Sequence, residues 1–417
     1  MAAATRVPLG GDQHMLAESG QVMTTERTTI RRRLSIGRAT HRPPWGGRKT
    51  GHRFIVAPLM ATVAASVAVG VGASIAGRLV RERRARRERR LGLLGGEHLA
   101  GGLQRMALGQ LDLALEAIDG GDTPDEKAVH ETRKALKRLR ALLRLLEPQL
   151  QTDAYAREEA ALGDAGRRLG GARDADVMLA TLDALVERHH DALAGRSGVI
   201  RLRATLLTER DRARRQTLGD PSTRAQAAAE LRACRVRMAA WQLPDRPGPE
   251  LVEAGLLRLY RQGRSRHRRA SRAKASDVLA MHRWRKRVKD LRYAAEMLAP
   301  ADPRGRGEPP KGKRARLRRK RALADAARLR RLARRADRLG EWLGEDHDLA
   351  VLAERISADA ERGAPGAIGR RTRKRILKLI VKRRRRLRRR ALREGERLYG
   401  QSPKKLMRLV RGAHERG

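Results

Sequence analysis

The stretch from His130 to Arg144, HETRKALKRLRALLR, commits one face of a helix to a single sign of charge. At about 100° per residue, His130, Arg133, Lys134, Lys137, Arg140 and Arg144 share an arc of about 120°, with Leu136, Leu139, Leu142, Leu143 and Leu146 opposite. Ordinary surface helices mix signs and pair Glu with Lys one turn apart. No acid interrupts the central arc here. The pattern returns 152 residues later in MHRWRKRVKDLRYAAEML, where His282, Arg285, Lys286, Lys289 and Arg292 repeat the spacing H-x-x-R-K-x-x-K-x-x-R. Val288, Leu291, Ala295 and Leu298 lie under that second face. Most basic residues of the chain are Arg, so Lys in the same two slots of both copies points to duplication rather than to general Arg enrichment.

A second motif recurs in the same order. LGGARDADVMLATL from Leu169 has its counterpart in LGEDHDLAVLAERI from Leu343, so Leu169, Gly170 and Asp174 reappear as Leu343, Gly344 and Asp348. The 417-residue length accommodates an internally duplicated domain.

Charge narrows the class of partner. Lys and Arg number 96 against 47 Asp and Glu, a net charge of +49. Such a field favours a polyanion: nucleic acid, an anionic membrane surface or polyphosphate. With one Phe, four Trp and four Tyr, the stacking platforms on which single-stranded nucleic acid relies are poorly supplied. An inorganic polyanion needs none. The single cysteine, Cys234, excludes an intramolecular disulfide and any multi-cysteine zinc site.

Residues 1–53, rich in Gly, Thr, Arg and Pro and without a hydrophobic period, read as a disordered basic extension. Met15, Met23 and Met60 are alternative starts. Residues 54–77 carry no charge over 24 positions, enough to span a bilayer, although Ala, Val, Gly, Ser and Pro58 make insertion marginal. Ala64, Ala68, Gly72 and Ala76 would suit close helix packing in lipid. The dense arginines of the basic linker 78–94 would keep the following residues in the cytoplasm if 54–77 spans, or would contact lipid directly.

From residue 95 the periodicity is helical almost throughout, predicting an all-α fold. Helices are expected over 97–118, from a cap at Thr123, Pro124 and Glu126 to the residue before Pro148, over 152–169, and once or twice within 197–240. LPDRPGPE at 243–250 marks a boundary. Beyond it come 251–271, 277–299, a Pro- and Gly-rich linker, 313–343, 346–361 and 367–399, with 401–417 as a tail.

These residues resemble the CHAD domain, the conserved histidine α-helical domain, over about 95–400. VHETRKALKRLRALLRLLEP, MHRWRKRVKDLRYAAEML and the two Leu-Gly segments carry the resemblance. It implies two four-helix-bundle repeats, about 95–240 and 250–400, related by a pseudo-twofold axis with basic faces turned to a central cavity. It also implies inorganic polyphosphate as ligand without catalysis, and association with polyphosphate granules or fusion to a triphosphatase-type domain, for which no E-x-E-x-K motif occurs here; no cofactor is expected, and residues 54–77 would recruit polyphosphate to a membrane. The contacts it implies are His130, Arg133, Lys134, Lys137, Arg140 and Arg144 in one half and His282, Arg285, Lys286, Lys289 and Arg292 in the other. Glu296 stands where Arg144 has its counterpart, and His347 stands for Arg173, so the two halves should not bind alike.

Arg258, Arg261, Arg264 and Arg268 recur at helical spacing and are candidates for the same groove. The run Lys382 to Arg390 reads as a solvated tail or a lipid contact. Asp174 with Asp176, and Asp346 with Asp348, read as helix-start capping residues before cation ligands. No phosphate-cradling loop, H-E-x-x-H or G-x-S-x-G motif occurs. Two further readings of the same charge are a nucleoid-type nucleic-acid binder and a membrane-tethered scaffold for partner enzymes.

Overall fold

Each apolar stripe needs a partner, and the helices meet that need by packing on one another. The computed structural model describes residues 92–94, 97–119, 126–218, 220–244, 248–274, 277–300, 312–364 and 367–414. Among these residues all regular elements are helical. The first part of the chain forms α1 (Leu99–Asp119), α2 (Glu126–Leu146), α3 (Thr152–Arg168), α4 (Gly170–Arg188), the single turn α5 (His190–Leu193), α6 (Ser197–Leu218) and α7 (Pro221–Ala239). The second part forms α8 (Glu250–Arg272), α9 (Val278–Leu298), α10 (Lys313–Glu361), α11 (Arg370–Tyr399) and α12 (Pro403–His414). The N-terminal extension, the segment 54–77, most of the basic linker and the cap at Thr123 and Pro124 lie outside the described residues. No helix among those described is long and apolar enough to cross a membrane.

Local chemistry sets the boundaries that can be read. Asp220 accepts from the backbone N–H groups of Ser222 and Thr223 ahead of Pro221 in the first turn of α7, and Asp277 accepts from that of Ala280 to open α9. Pro148 stops α2 in a short 3-10 turn, Glu147–Gln149. Gly170 and Gly171 put two of the weaker helix formers in succession, and the chain breaks there between α3 and α4. Arg133 donates to the carbonyls of Gly166 and Leu169 at that break, satisfying groups a helix end leaves open.

The corresponding Leu343-Gly344 has one glycine, and the helix does not break. Instead of separate segments at 313–343 and 346–361, α10 runs for 49 residues, about 73 Å. The presumed tail is also structured: Leu406, Met407, Val410 and Ala413 of α12 are buried, and α12 packs on α10 and α8.

Two hydrophobic cores result, and neither belongs to one half of the sequence. The larger joins α1, α2, α3 and α7 to α8, α9, α12, the N-terminal part of α10 and the C-terminal end of α11. The leucines opposite the basic face of α2, and Val288, Leu291, Ala295 and Leu298 of α9, are all buried there or beside it. At roughly 2 kcal/mol per buried aliphatic side chain, these faces are a large part of what fixes the two helices. The smaller core joins α4 and α6 to the C-terminal part of α10 and to α11, through Leu182, Leu202, Leu352, Ile376 and Leu387. Trp342, partly buried, packs against both. Two separate bundles at 95–240 and 250–400 would each own a core; here helices from both sides of residue 245 interleave in each.

Where α8 crosses α2, Gly255 leaves no room for a side chain, since a Cβ there would strike the backbone carbonyl of Leu145. Gly255→Ala should cost about 2 kcal/mol or more through forced separation of the helices, seen as a lower urea midpoint. An unchanged midpoint would mean that the crossing tolerates displacement.

Candidate polyanion-binding cleft

Packing of α2 on α9 and of α4 on α10 leaves a cavity of about 1480 Å³, with further lining from α6 and α11. All six basic-face residues of α2 and all five of α9 line it: His130, Arg133, Lys134, Lys137, Arg140, Arg144, His282, Arg285, Lys286, Lys289 and Arg292. The walls hold fourteen Arg and Lys against seven carboxylates, so the excess of positive charge survives the acids that folding brings in.

Those acids are distributed unevenly. Arg140 and Arg144 share Glu159 of α3, and Arg144 also reaches Asp290 of α9 at 2.9 Å. Asp290 is buried, with Arg287 3.2 Å from its other oxygen. Burial nevertheless raises its pKa against the pull of both arginines. Arg292 pairs with Glu296 and Asp337. Arg133 stands 3.4 Å from Asp174, and Lys134 3.5 Å from Glu131.

Lys137 and Lys289 have no ion-pair partner among the described residues. The side chain of Lys137 is open to the solvent of the cleft while the walls crowd it, so its charge is costly. Burial and then the charges of Lys289, Arg133 and Arg285 lower Lys137 to about 8. Burial, then Arg285, lower Lys289 to about 8 as well.

The Leu-Gly segments explain how the two motifs meet. A Cβ on Gly170 would stand 3.0 Å from Nη1 of Arg133, and one on Gly344 would stand 3.3 Å from Nη2 of Arg285. Each glycine thus leaves space for the first arginine of a basic face. Arg133 is tied down by the carbonyls of the α3–α4 break, whereas Nε of Arg285 is buried without a hydrogen bond. His282 and His347 put their rings 4.3 Å apart, each with a buried Nδ1 lacking a partner. Burial, His347, Lys286 and Arg285 push His282 down to about 4, and burial also lowers His347 and the more exposed His130.

Other candidates fall elsewhere. Arg258 is absent from the cleft wall; it donates to the Arg144 carbonyl and pairs with Glu147, joining α8 to the end of α2. Arg261, Arg264 and Arg268 line a separate shallow depression on α8. The acid pairs are not capping residues: Asp176 binds Arg214, and buried Asp346, in mid-helix, binds Arg384 and Arg388 of α11. No three His, Cys, Asp or Glu cluster as a metal site among the described residues. The Lys382–Arg390 run is no solvated tail, because Leu387 is buried and Arg383 pairs with Glu345. Arg188, Arg287, Arg355 and Arg383 join the cleft wall without a sequence signal. Glu345 draws in Arg188 and Arg383 from helices whose patterns have nothing in common with its own.

Residues 105–307 match the family model of the CHAD domain. The match takes in both basic faces and the first Leu-Gly segment and ends before the second. A solved structure, the crystal structure of the CHAD domain from the plant Ricinus communis, covers 77% of this chain and 94% of its own at 18% identity, with a TM-score of 0.41. No curated protein matches the chain.

The lysine pair predicts an unusual pH dependence. Between about 8 and the ordinary value of 10.5 the unfolded chain holds more protons than the folded one, so the pair's contribution to stability rises with pH over that window. Lys137→Met with Lys289→Met should flatten the rise in urea midpoint from pH 8 to 10; an equal slope in parent and variant would place the strain elsewhere. His282 acts in the same direction between about 4 and 6.5, losing stability as pH falls, and His282→Gln should remove part of that loss.

Proposed function

We propose that the cleft binds inorganic polyphosphate. One observation carries this reading: Lys137 and Lys289, from the two helices that share the H-x-x-R-K-x-x-K-x-x-R pattern, line one cavity, neither of them in an ion pair among the described residues, although Glu341 and Asp348 lie near enough to Lys289 to act on its charge. A chain of phosphates would supply the missing counter-charge to both. Lys meets it as a compact point charge, while Arg285 adds a planar donor set suited to phosphate oxygens. Arg140, Arg144 and Arg292, already bound to carboxylates, hold the helices in place and shape the wall. The role is binding without catalysis, as the family implies.

Nucleic acid fits the cavity less well. Tyr293 is covered by Arg138 and Arg292, whose guanidinium carbons lie 5.8 and 5.2 Å from its ring centroid, and Trp342 is packed against both cores. Tyr293 therefore offers no free face for a base, and Trp342 is the one tryptophan in the wall.

Residues 95–240 and 250–400 are read as two repeats of one ancestral unit. Motif order, the Gly170–Arg133 and Gly344–Arg285 contacts, and the packing of α2 on α9 and α4 on α10 all support that reading. Placement at polyphosphate granules, and recruitment of polyphosphate to a membrane by residues 54–77, extend the proposal to the cell.

Calorimetric titration of the full chain with long polyphosphate tests the site. Lys137→Glu with Lys289→Glu should weaken binding at least about a hundredfold, the scale of two lost phosphate contacts plus two introduced repulsions. At about 0.15 M salt, polyphosphate should displace labelled duplex DNA from the parent more readily than the reverse at equal phosphate concentration. Undiminished binding by the variant, or displacement in favour of DNA, would refute the reading.

A further inference from the structure

The outer face of α11 holds a second concentration of charge that the cleft does not use. Arg371, Lys374, Arg375, Lys378, Lys382, Arg385, Arg386, Arg389 and Arg393 are exposed. On a regular helix they share an arc of about 120° over roughly 33 Å. No acid lies in that arc before Glu396. None of the nine has an ion-pair partner among the described residues, unlike Arg383, Arg384 and Arg388 on the inner side, which bind Glu345 and Asp346. Ile376, Ile380, Leu387 and Ala391 are buried beneath. The helix is therefore anchored by one side and presents the other as a straight cationic rail.

The rail passes beside the cleft at Arg383, past its midpoint. Arg383 lines the cavity, and Arg386, three residues on, is its neighbour along the helix surface. On the facing element, Arg188 also lines the cavity, and adjacent His189 feels the charges of Arg188, Lys382 and Arg383, which together with burial lower its pKa. Cleft cations and rail cations thus adjoin at Arg188, Lys382 and Arg383, where Glu345 is the carboxylate that pairs with the two arginines. The rail has no continuous apolar face to enter a bilayer, because most of the apolar side of α11 is committed to the core and Val381 stands singly beside the rail. It has no aromatic side chain on which an unpaired base could stack. An extended phosphate chain needs neither.

We propose that the exposed rail of α11 is an exterior section of the polyanion site, engaged only by polyphosphate chains long enough to leave the cleft beside Arg383. This rests on polyphosphate occupying the cleft. A chain held in the cleft meets the rail intramolecularly, so the gain is one of effective concentration and grows with chain length until the rail is covered.

The test uses the full chain carrying Lys378→Gln, Lys382→Gln, Arg386→Gln and Arg389→Gln, all exposed positions without ion pairs, so that an unchanged circular dichroism melt reports intact folding. Tripolyphosphate and a polyphosphate of several hundred units are titrated against parent and variant. The expected result is a loss of about tenfold or more in affinity for the long chain, with a salt slope shallower by about 3 at roughly 0.7 per lost cation, and tripolyphosphate affinity within about twofold of the parent. Unchanged long-chain affinity would overturn the rail while leaving the cleft intact, as would equal losses for both ligands or a loss confined to duplex DNA or anionic vesicles. Failure of the parent to bind either polyphosphate would instead remove the cleft reading itself.

Discussion

Everything in this structure depends on like charges being held together by apolar packing behind them. The basic faces of α2 and α9 repel, and nothing in the cleft cancels that repulsion completely. What opposes it is the larger core, where leucines on the reverse of α2 and the Val288, Leu291 and Leu298 side of α9 are removed from water. The contact from Arg144 across to buried Asp290 adds a tie between the two helices. Interleaving of both sequence halves in each core follows from the same requirement. A bundle made by one half alone could separate from the other under repulsion, whereas a shared core makes separation equivalent to unfolding.

Arginine and lysine divide the work. Arginines with carboxylates at hand, Arg140, Arg144, Arg292, Arg355 and Arg383, fasten helices to one another. The planar guanidinium suits fixed, multidentate contacts of that kind. Lys137 and Lys289 fasten nothing, and their lowered pKa values record the strain of holding charge in a crowded, one-signed place. Such strain is what a polyanion would relieve, so the cost borne by the empty protein becomes part of the driving force for binding.

Much of this was legible from residue order, because the basic faces are written at helical spacing and in duplicate. The helix limits at Thr152–Arg168 and Val278–Leu298 came close to their expected places for the same reason. What escaped was whatever depends on long-range partners. Periodicity in LGEDHD could not distinguish a break from a continuous helix, since one glycine is tolerated where two are not. The α11 arginines looked like an all-round charge run because the acids that fix Arg383, Arg384 and Arg388 lie 38 to 42 residues away on another helix. Likewise Arg258 has the spacing of a groove residue, yet Glu147 and the Arg144 carbonyl claim it.

Proton uptake on binding tests the central claim, that unpartnered cleft lysines receive the ligand, more directly than affinity does. Long-chain polyphosphate, whose internal phosphates do not titrate near neutrality, should raise the pKa of Lys137 and Lys289 from about 8 toward the ordinary lysine value. Calorimetric titrations near pH 8.5 in buffers of different ionisation enthalpy should therefore show protons taken up by the parent and none by the Lys137→Met, Lys289→Met variant. Equal uptake by both proteins, or no uptake by the parent, would contradict it.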